Sequence, residues 1–410
     1  MLAIRMTLRL TQYCFALLAI AIFALALIAF AAPAKADSIR VATYTASLSR
    51  RNAGDLLKDI QQQNPQVLAV AEVIQRVRPD VLLINEFDYD PKALALFQAL
   101  LATGQDTTGN GAAMGISYAH SYSAPVNAGV PSGYDLNGNQ EVGGPGDSYG
   151  FGYFPGQNGM AILSRLPIVQ TRHFQNFLWR DVPDNNMPRD FLREDTQAAF
   201  RLSSKAHWDV TLSTHGKTLH LLASHPTPPV FDGPEDLNGR RNHDEIRFWA
   251  DYIDGADYFY DDEGQASGLQ HNERFVVLGN LNADPFDGDS FEGAILQLLN
   301  HPKILGSPTD TTLTPSSAGA EMAALRQSGA NSDHKGDPAF DTADFGYNRD
   351  NPGTDRAPGN LRTDYILPSK TLQIKDAGVY WLTKDDPLFA LAEYPTSTHR
   401  MVWMDILLPN

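Results

Sequence analysis

Apolar side chains follow two different periods in the first part of the chain. Residues 38–48 (SIRVATYTASL) alternate apolar and polar positions, which is typical of a strand. Residues 65–80 repeat apolar positions at helical spacing, and residues 81–90 (VLLINEFDYD) form an apolar run that ends in acids. Residues 91–101 again show helical spacing and begin with a proline. The pattern predicts the order strand, helix, strand, helix.

Short apolar runs bounded by turn residues predict further strands in the rest of the chain. These runs are residues 159–164, 207–213, 218–226, 274–280, 361–369 and 400–408. Helical spacing predicts two more helices, at 242–253 and near 290–299. Strands and helices that are interspersed in this way indicate an α/β protein, and neither an internal repeat nor a clean linker divides it.

Residues 104–158 have a different composition from the flanking segments. Gly, Asn, Ser, Pro and Tyr dominate them and no period is long enough for a regular element, so we expect a long functional or surface loop. Asp135, Asn137 and Asn139 alternate as in a calcium loop, but the glycine and the late glutamate of an EF-hand are absent. A turn closed by Asx side chains fits better, so the sequence gives Ca²⁺ no support.

The N-terminal segment has the layout of an export signal. Two arginines precede an uncharged apolar run at residues 14–32, and residues 34–36 (AKA) place small side chains at the two positions that a signal peptidase reads. We interpret residues 1–36 as a cleaved signal peptide and residues 37–410 as one folded domain, secreted or periplasmic. The apolar run is longer than a usual signal core, so an uncleaved membrane anchor is the alternative.

The net charge indicates which partners are disfavoured, and the cysteine content indicates what stabilises the fold. Loss of residues 1–36 would remove three cations and no acid, which takes the formal net charge from -16 to -19. A protein that grips long nucleic acid usually carries a basic stripe, so the acidic balance disfavours that partner. Cys14 is the single cysteine and lies in the predicted signal, so the domain depends on its hydrophobic core.

Polar residues follow the ends of several predicted strands. They are Glu86, His225, Asn280, Asp364 and His399. Ligand sites in α/β proteins lie beyond strand ends at one edge of a sheet. The positions therefore predict one α/β sandwich with a site at one sheet edge.

Five motifs occur in a fixed order along the chain. They are NEF after a strand, GMAILSR, ASHP, GNLNADP, and near the C-terminus RTDYILPS followed by STHRMVW. Together they resemble the endonuclease/exonuclease/phosphatase superfamily, the DNase-I-like metal-dependent phosphoesterases, and residues 224–253 and 336–345 look like those of exported bacterial members. The resemblance covers nearly the whole domain. It implies a four-layer α/β sandwich in which two mixed β-sheets pack face to face between helices.

The resemblance also implies the chemistry of the site. A divalent cation bears the charge that develops on the phosphate, a carboxylate and an Asn orient the attacking water, and a His held by an Asp faces the phosphate. The matching positions are Glu86 as the metal ligand, Asn282 as the orienting amide, His225 as a phosphate contact, and His399 with Asp364. We also assign Arg241 and Asn158 to substrate binding. An arginine fork suits phosphate oxygens, although a solvated helix face explains Arg240, Arg241 and Arg247 equally well.

Three positions depart from the family pattern. Thr45 stands where the first strand usually supplies Asn, Asn280 replaces the Asp of GDLN, and Thr398 replaces the Asp of the terminal SDH. Mg²⁺ or Mn²⁺ would then be held weakly, by Glu86 with waters and the substrate. Asn280 cannot take a proton, and the loss of a general base lowers rates by roughly 10²- to 10⁴-fold.

These observations predict an exported phosphoesterase whose activity is reduced by the departures from the family pattern at Thr45, Asn280 and Thr398. We expect a small phosphate mono- or diester as the substrate, a monomer, and no stable membrane partner once the signal is removed. A catalytically silent protein that binds phosphorylated ligands is one alternative, and a purely structural exported domain is another. A convergent cluster of the predicted polar residues would exclude the structural domain.

Overall fold

The computed structural model describes residues 38–214, 216–306, 311–327, 329–346 and 357–409. The predicted signal at residues 1–36 lies outside these ranges. Within them, no helix has both the length and the apolar character needed to cross a membrane.

The described residues form thirteen strands and seven α-helices. The strands are β1 Ile39–Leu48, β2 Val81–Phe87, β3 His120–Tyr122, β4 Met160–Ser164, β5 Ile168–His173, β6 His207–Thr214, β7 Lys217–Ser224, β8 Phe275–Asn280, β9 Ala343–Asp344, β10 Asn360–Leu361, β11 Asp364–Pro368, β12 Gln373–Val379 and β13 Val402–Leu407. The helices are α1 Asp55–Gln61, α2 Pro65–Val77, α3 Pro91–Leu101, α4 Glu194–Ala199, α5 Leu237–Asp254, α6 Leu296–Leu299 and α7 Ala318–Gln327.

Two mixed sheets contain all but two of these strands. The first has the order β12-β13-β1-β2-β4-β3 and the second the order β11-β8-β7-β6-β5. One pair in each is parallel, β1 with β2 and β7 with β8. Parallel neighbours need a crossover connection, and helices α1 and α2 provide it in the first sheet while α5 provides it in the second.

Successive side chains of each central strand enter different hydrophobic cores. On β1, Val41 packs between the two sheets, whereas Ala42 packs against the helices on the outer face. On β8, Val276 packs between the sheets and Val277 packs against the core that includes Phe248 of α5. Because both faces of β8 are covered, its sequence is a continuous apolar run up to Gly279. Strand β1 is covered on both faces as well, but it buries Thr43 and Thr45, which is why its sequence alternates. The four-layer α/β sandwich that the sequence predicts is confirmed.

The sequence pattern misses elements whose side chains are largely exposed. Strands β5 and β12 lie at the edges of their sheets, so most of their side chains stay in solvent and leave no apolar run. The helix that the pattern predicts near 290–299 is reduced to α6, because Glu292 and Gly293 adopt positive φ angles of 45° and 65°. A left-handed pair of this kind cannot continue an α-helix.

The long segment 104–158 is mainly irregular, as predicted. It contains the short strand β3 and one 3₁₀ turn at Pro145–Asp147. Asn137 Oδ1 accepts the N–H of Asn139 at 3.0 Å and Asn139 Oδ1 accepts the N–H of Glu141 at 2.8 Å, so both residues close Asx turns as the preferred interpretation predicts.

Candidate active site

The two sheets meet at the edge where the predicted polar residues lie. Thr45 pairs with Asn85 near the end of the parallel strands β1 and β2. On the other sheet Asp364, the first residue of β11, pairs with Asn280, the last residue of β8. A hydrogen bond of 2.6 Å from Thr45 Oγ1 to Asp364 Oδ1 joins the sheets at this edge.

Asp364 and His399 form the expected pair. His399 Nδ1 lies 2.7 Å from Asp364 Oδ2, and both side chains are buried. The same carboxylate oxygen accepts the hydroxyls of Thr342 at 3.0 Å and Thr363 at 3.1 Å. The carboxylate is therefore held on both oxygens, since Thr45 bonds the other one. This orients the imidazole and leaves its Nε2 without a hydrogen-bond partner among the described residues.

The electrostatic surroundings favour the charged form of His399. Burial lowers the pKa of its imidazole, but the charge of Asp364 and the hydrogen bond to it raise that pKa, and Glu86 raises it further. The net shift is upward from 6.5. A raised pKa keeps the Nε2 proton on His399 to a higher pH than on a free imidazole, and the charged ring is suited to donate that proton to a phosphate oxygen.

Thr45 has a role that the sequence did not suggest. The family pattern places Asn there, and the departure predicts a loss on the anionic side of the site. In the structure the fully buried Thr45 hydroxyl donates to Asp364, so this residue supports the histidine pair.

The loop after β8 is fixed by close backbone contacts. Gly279 has φ 143°, and a Cβ there would lie 2.0 Å from the carbonyl oxygen of Ser224 on β7, so no larger residue fits. Asn280 Oδ1 accepts the N–H of Asn282 at 3.0 Å. Asn282 has φ 52° and its amide donates to the carbonyl of Pro226 at 2.9 Å. Both amides are therefore anchored at the end of β8, beside the segment that carries His225.

His225 is buried and only 4 % exposed, yet its Nδ1 has no hydrogen-bond partner among the residues that the structure describes. Burial lowers the pKa of this imidazole well below 6.5, and the charges of Lys205 and His399 lower it further. His225 is thus neutral at ordinary pH and lies within electrostatic reach of two cationic side chains. This places it in the predicted cluster.

Glu86 is the second-last residue of β2, and its side chain is half-buried. Its backbone is left-handed, with φ 57°. Its negative charge raises the pKa of both His399 and Lys205, so it lies in the same cluster. The preceding Asn85 is fully buried and its Oδ1 has no hydrogen-bond partner within the described ranges. A non-glycine residue at positive φ is uncommon and often marks a functional position.

Asp88, two residues after Glu86, already accepts hydrogen bonds from the protein on both carboxylate oxygens. Asp88 accepts the backbone N–H groups of Arg50 at 2.8 Å and Asn158 at 3.1 Å and the hydroxyl of Ser49 at 3.0 Å. Burial raises the pKa of Asp88 to about 6, and these hydrogen bonds oppose the shift. Asn158 is half-buried with φ 53° and lies beside the turn that follows Glu86.

The donor set does not fit a tightly held divalent cation. Nowhere in the described parts of the chain do three or more His, Cys, Asp or Glu side chains converge as a metal group. Asp364 is committed to its hydroxyls and His399, Asn280 is neutral, and Glu86 is the carboxylate left available. A site of this kind offers Mg²⁺ one protein carboxylate next to a cationic lysine.

Arg241 does not provide the free fork that the sequence suggested for substrate binding. Its Nε donates to the carbonyl of Leu202 at 2.8 Å, and its Nη2 donates to the carbonyls of Arg201 and Tyr149. Burial lowers the pKa of this guanidinium to about 10. The hydrogen bonds to backbone carbonyls assign Arg241 a structural role, so the assignment to substrate binding is corrected. Arg247 forms an ion pair with Asp251 of the same helix at 3.0 Å.

Sequence reasoning did not find Lys205 or Thr342. Thr342 lies in the family-like block 336–345, but no role was assigned to it, and Lys205 stands in a segment without a motif, just before the apolar run of β6. Their place in the site follows from the packing of distant segments. A lysine directly preceding a buried strand was the one available signal.

Comparisons with known proteins agree with this architecture. A family model described as the Endonuclease/Exonuclease/phosphatase family matches residues 52–399. No curated protein matches the sequence. Among solved structures, an endonuclease/exonuclease/phosphatase from Beutenbergia cavernae DSM 12333 is similar at 17% identity and a TM-score of 0.48, covering 91% of this chain and 72% of that one.

Two further solved structures are similar at lower identity. A family protein from Leptotrichia buccalis C-1013-b has 14% identity and a TM-score of 0.46, with coverage of 90% of this chain and 99% of that chain. Sphingomyelinase C from Streptomyces griseocarneus has 13% identity and a TM-score of 0.42, with coverage of 90% and 99%.

Proposed function

The chain belongs to the endonuclease/exonuclease/phosphatase family, and we propose that it hydrolyses small phosphate mono- or diesters slowly at the cluster of Glu86, His225, Asn282, Asp364 and His399. The observation that carries the proposal is the 2.7 Å hydrogen bond between His399 and Asp364. It fixes the imidazole and raises its pKa, so that an Nε2 proton is available at the site.

In the proposed reaction His399 acts as a general acid. The oxygen of a water attacks phosphorus while the ester P–O bond opposite to it breaks. The leaving oxygen takes the Nε2 proton of His399, and the proton of the attacking water passes to the product phosphate. Asn280 and Asn282 hold the water by hydrogen bonds, since neither amide can accept its proton. The missing base explains why we expect slow turnover, by roughly 10²- to 10⁴-fold.

The family generally depends on a divalent cation, which stabilises the charge on the phosphate. Weak binding of Mg²⁺ or Mn²⁺ at Glu86 stays a prediction for this chain. Because the donor set offers such an ion a poor fit, no step of the proposed reaction uses a metal.

The test is the initial rate of hydrolysis of bis-p-nitrophenyl phosphate and p-nitrophenyl phosphate, measured in chelator and in Mg²⁺ or Mn²⁺. We expect a slow rate that exceeds the rate of the His399→Ala variant. Equal rates for both proteins under every condition would contradict hydrolysis and favour the silent phosphate-binding alternative, which the neutral Asn280 already makes reasonable.

We further propose that the protein is exported and acts as a monomer outside the cytoplasm. The support is the sequence pattern of residues 1–36 and the acidic balance of the rest. N-terminal sequencing of the exported protein should begin at Asp37. An intact Met1 on a membrane-bound protein would favour the uncleaved anchor.

A further inference from the structure

Lys205 is a buried cation that has no protein partner. The residue is 8% exposed, and its backbone carbonyl accepts the N–H of Asn127 at 2.9 Å. Its ammonium makes no hydrogen bond or ion pair with any residue that the structure describes. The rest of the side chain is buried, whereas the Nζ atom is not among the fully enclosed atoms that lack a partner, so solvent or a ligand can reach it. A largely desolvated ammonium that is open at its tip is suited to bind an anionic ligand.

The position of Lys205 directs its charge to the active site. His207, two residues further along, pairs with Ser224 at the end of β7, so the chain places Lys205 next to the segment that carries His225. The charge of Lys205 lowers the pKa of His225, and the charge of Glu86 raises the pKa of Lys205. Lys205 therefore lies within electrostatic reach of both residues.

The remaining carboxylate near Lys205 is occupied by other donors. Glu245 accepts the backbone N–H groups of Ser204 at 2.6 Å and Thr227 at 2.7 Å, one on each oxygen. It balances the lysine charge from a distance but does not bond it. Burial lowers the pKa of Lys205 to about 8, so the ammonium keeps its proton at pH 7.

We propose that the ammonium of Lys205 is the resident cation of this site, and that it binds a phosphate oxygen of the ligand beside Glu86 in the electrostatic role of a divalent metal ion. The inference rests on the proposed function, because it takes a phosphate ester as the ligand. It follows that phosphate binding does not require a metal.

The chemistry of the open donors agrees with this assignment. A lysine ammonium is a compact point charge and a common ligand for phosphate. His399, whose pKa Asp364 raises, supplies a second cationic donor in its protonated form, so a phosphate then meets two positive charges without a metal. A fixed ammonium near Glu86 also repels a divalent ion, in line with the single carboxylate available there.

The first experiment measures binding of inorganic phosphate by calorimetry, in protein treated with chelator and again with added Mg²⁺. We expect binding in chelator, little change with Mg²⁺, and at least about tenfold weaker binding in Lys205→Ala, since a charge-assisted hydrogen bond is lost. Lys370→Ala is the matched control, because Lys370 is exposed beyond the far end of β11, and it should bind like the parent.

The second experiment separates a ligand-binding lysine from a structural one. In Lys205→Met a side chain of similar length replaces the unpaired charge, so without phosphate the variant should have a higher Tm than the parent. Added phosphate should raise the Tm of the parent and leave that of Lys205→Met unchanged. A lower Tm for Lys205→Met without phosphate would mean that the ammonium stabilises the fold, which contradicts the proposal.

The outcomes distinguish this inference from the proposed function. Phosphate binding that needs Mg²⁺ and is equal in parent and Lys205→Ala would overturn the role of Lys205 and leave the phosphoesterase proposal standing. Absence of phosphate binding in the parent, with and without metal, would overturn both.

Discussion

The active site has two halves that differ in how far the protein satisfies their polar groups. The dyad half consists of Asp364 and His399 with the hydroxyls of Thr45 and Thr342, and both oxygens of Asp364 are bonded within it. The open half consists of Glu86, Asn85, Lys205 and His225. There Asn85 Oδ1 and His225 Nδ1 are buried without a hydrogen-bond partner within the described ranges. The Lys205 ammonium pairs with no described residue either, but it is not fully enclosed.

This difference shows which part of the site is complete before a ligand arrives. Buried polar groups in proteins are nearly always hydrogen-bonded, and leaving one unsatisfied costs about 1–3 kcal/mol. The dyad half is rigid and oriented by the fold. The open half carries that unfavourable energy at Asn85 Oδ1 and His225 Nδ1. A bound phosphate oxygen would accept a hydrogen bond from the Lys205 ammonium, the donor of this half that the protein leaves unpaired.

The largest effect should come from breaking the dyad half. His399→Ala removes the proposed proton donor and should lower the hydrolysis rate by about 10²- to 10⁴-fold at neutral pH. Initial rates on bis-p-nitrophenyl phosphate measure this. His271→Ala, at an exposed position with no contact to the site, is the control and should keep the parental rate. A His399→Ala variant as fast as the control would rule out the acid role.

The next effect should come from converting the open half into a metal site. The double change Asn280→Asp with Thr398→Asp restores two carboxylates, one of which can act as a general base. The hydrolysis rate in Mg²⁺ or Mn²⁺ should therefore rise by about tenfold or more, since a general base contributes roughly 10²- to 10⁴-fold. Each single change should do less because such groups act as a unit. A double variant that folds normally but stays as slow as the parent would show that Asn280 does not limit the rate.

The pH dependence of the dyad half should follow His399. Its pKa lies above 6.5 because Asp364 outweighs burial, so its charged form and the stability it contributes are present below the unfolded pKa. Both are lost as pH rises through the folded pKa. Rate–pH profiles should therefore fall on the alkaline side, and Asp364→Asn should move that fall to lower pH. An unchanged rate–pH profile in Asp364→Asn would show that the alkaline fall comes from a group other than His399.

The smallest effect should come from one hydroxyl of the dyad half. Thr45→Val removes the donor to Asp364 Oδ1 without changing side-chain size, and should lower the free energy of unfolding by about 1–3 kcal/mol. Thr196→Val is the matched control, since the buried Thr196 hydroxyl has no partner among the described residues, and it should be neutral or stabilising. Chemical denaturation measures both, and equal effects would argue against a special role for Thr45.

The sequence predicts the dyad half better than the open half. Asp364 and His399 lie in motifs at strand ends, Asp364 at the start of β11 in the second sheet and His399 just before β13 in the first. The motifs mark both residues, and packing of the two sheets brings them together. Lys205 reaches the site from a segment that carries no motif, and Thr342 lies in the family-like block 336–345 without a pattern that indicates its contact with Asp364. The role of Thr45 was assigned to the wrong half, because its partner is 319 positions away in the chain.

For Arg241 the sequence predicted a role in substrate binding, whereas the structure shows its guanidinium bonded to backbone carbonyls. Its residue type suits a phosphate, and its place at the start of a helix does not exclude that role. Whether a guanidinium is free depends on the carbonyls around it, and here three of them, from the segments before β6 and in the long loop, take its N–H groups.

Hydrophobic periodicity alone determined the α/β class and the central strands, because strands covered on both faces are rich in apolar residues and helices repeat theirs at helical spacing. The order of short motifs determined the family and placed five polar residues at one sheet edge. The tertiary structure decided which polar groups are satisfied. Hydrogen bonding depends on ångström distances between residues far apart in the chain, and only packing of the two sheets brings Thr45 to Asp364 and leaves the ammonium of Lys205 without a partner.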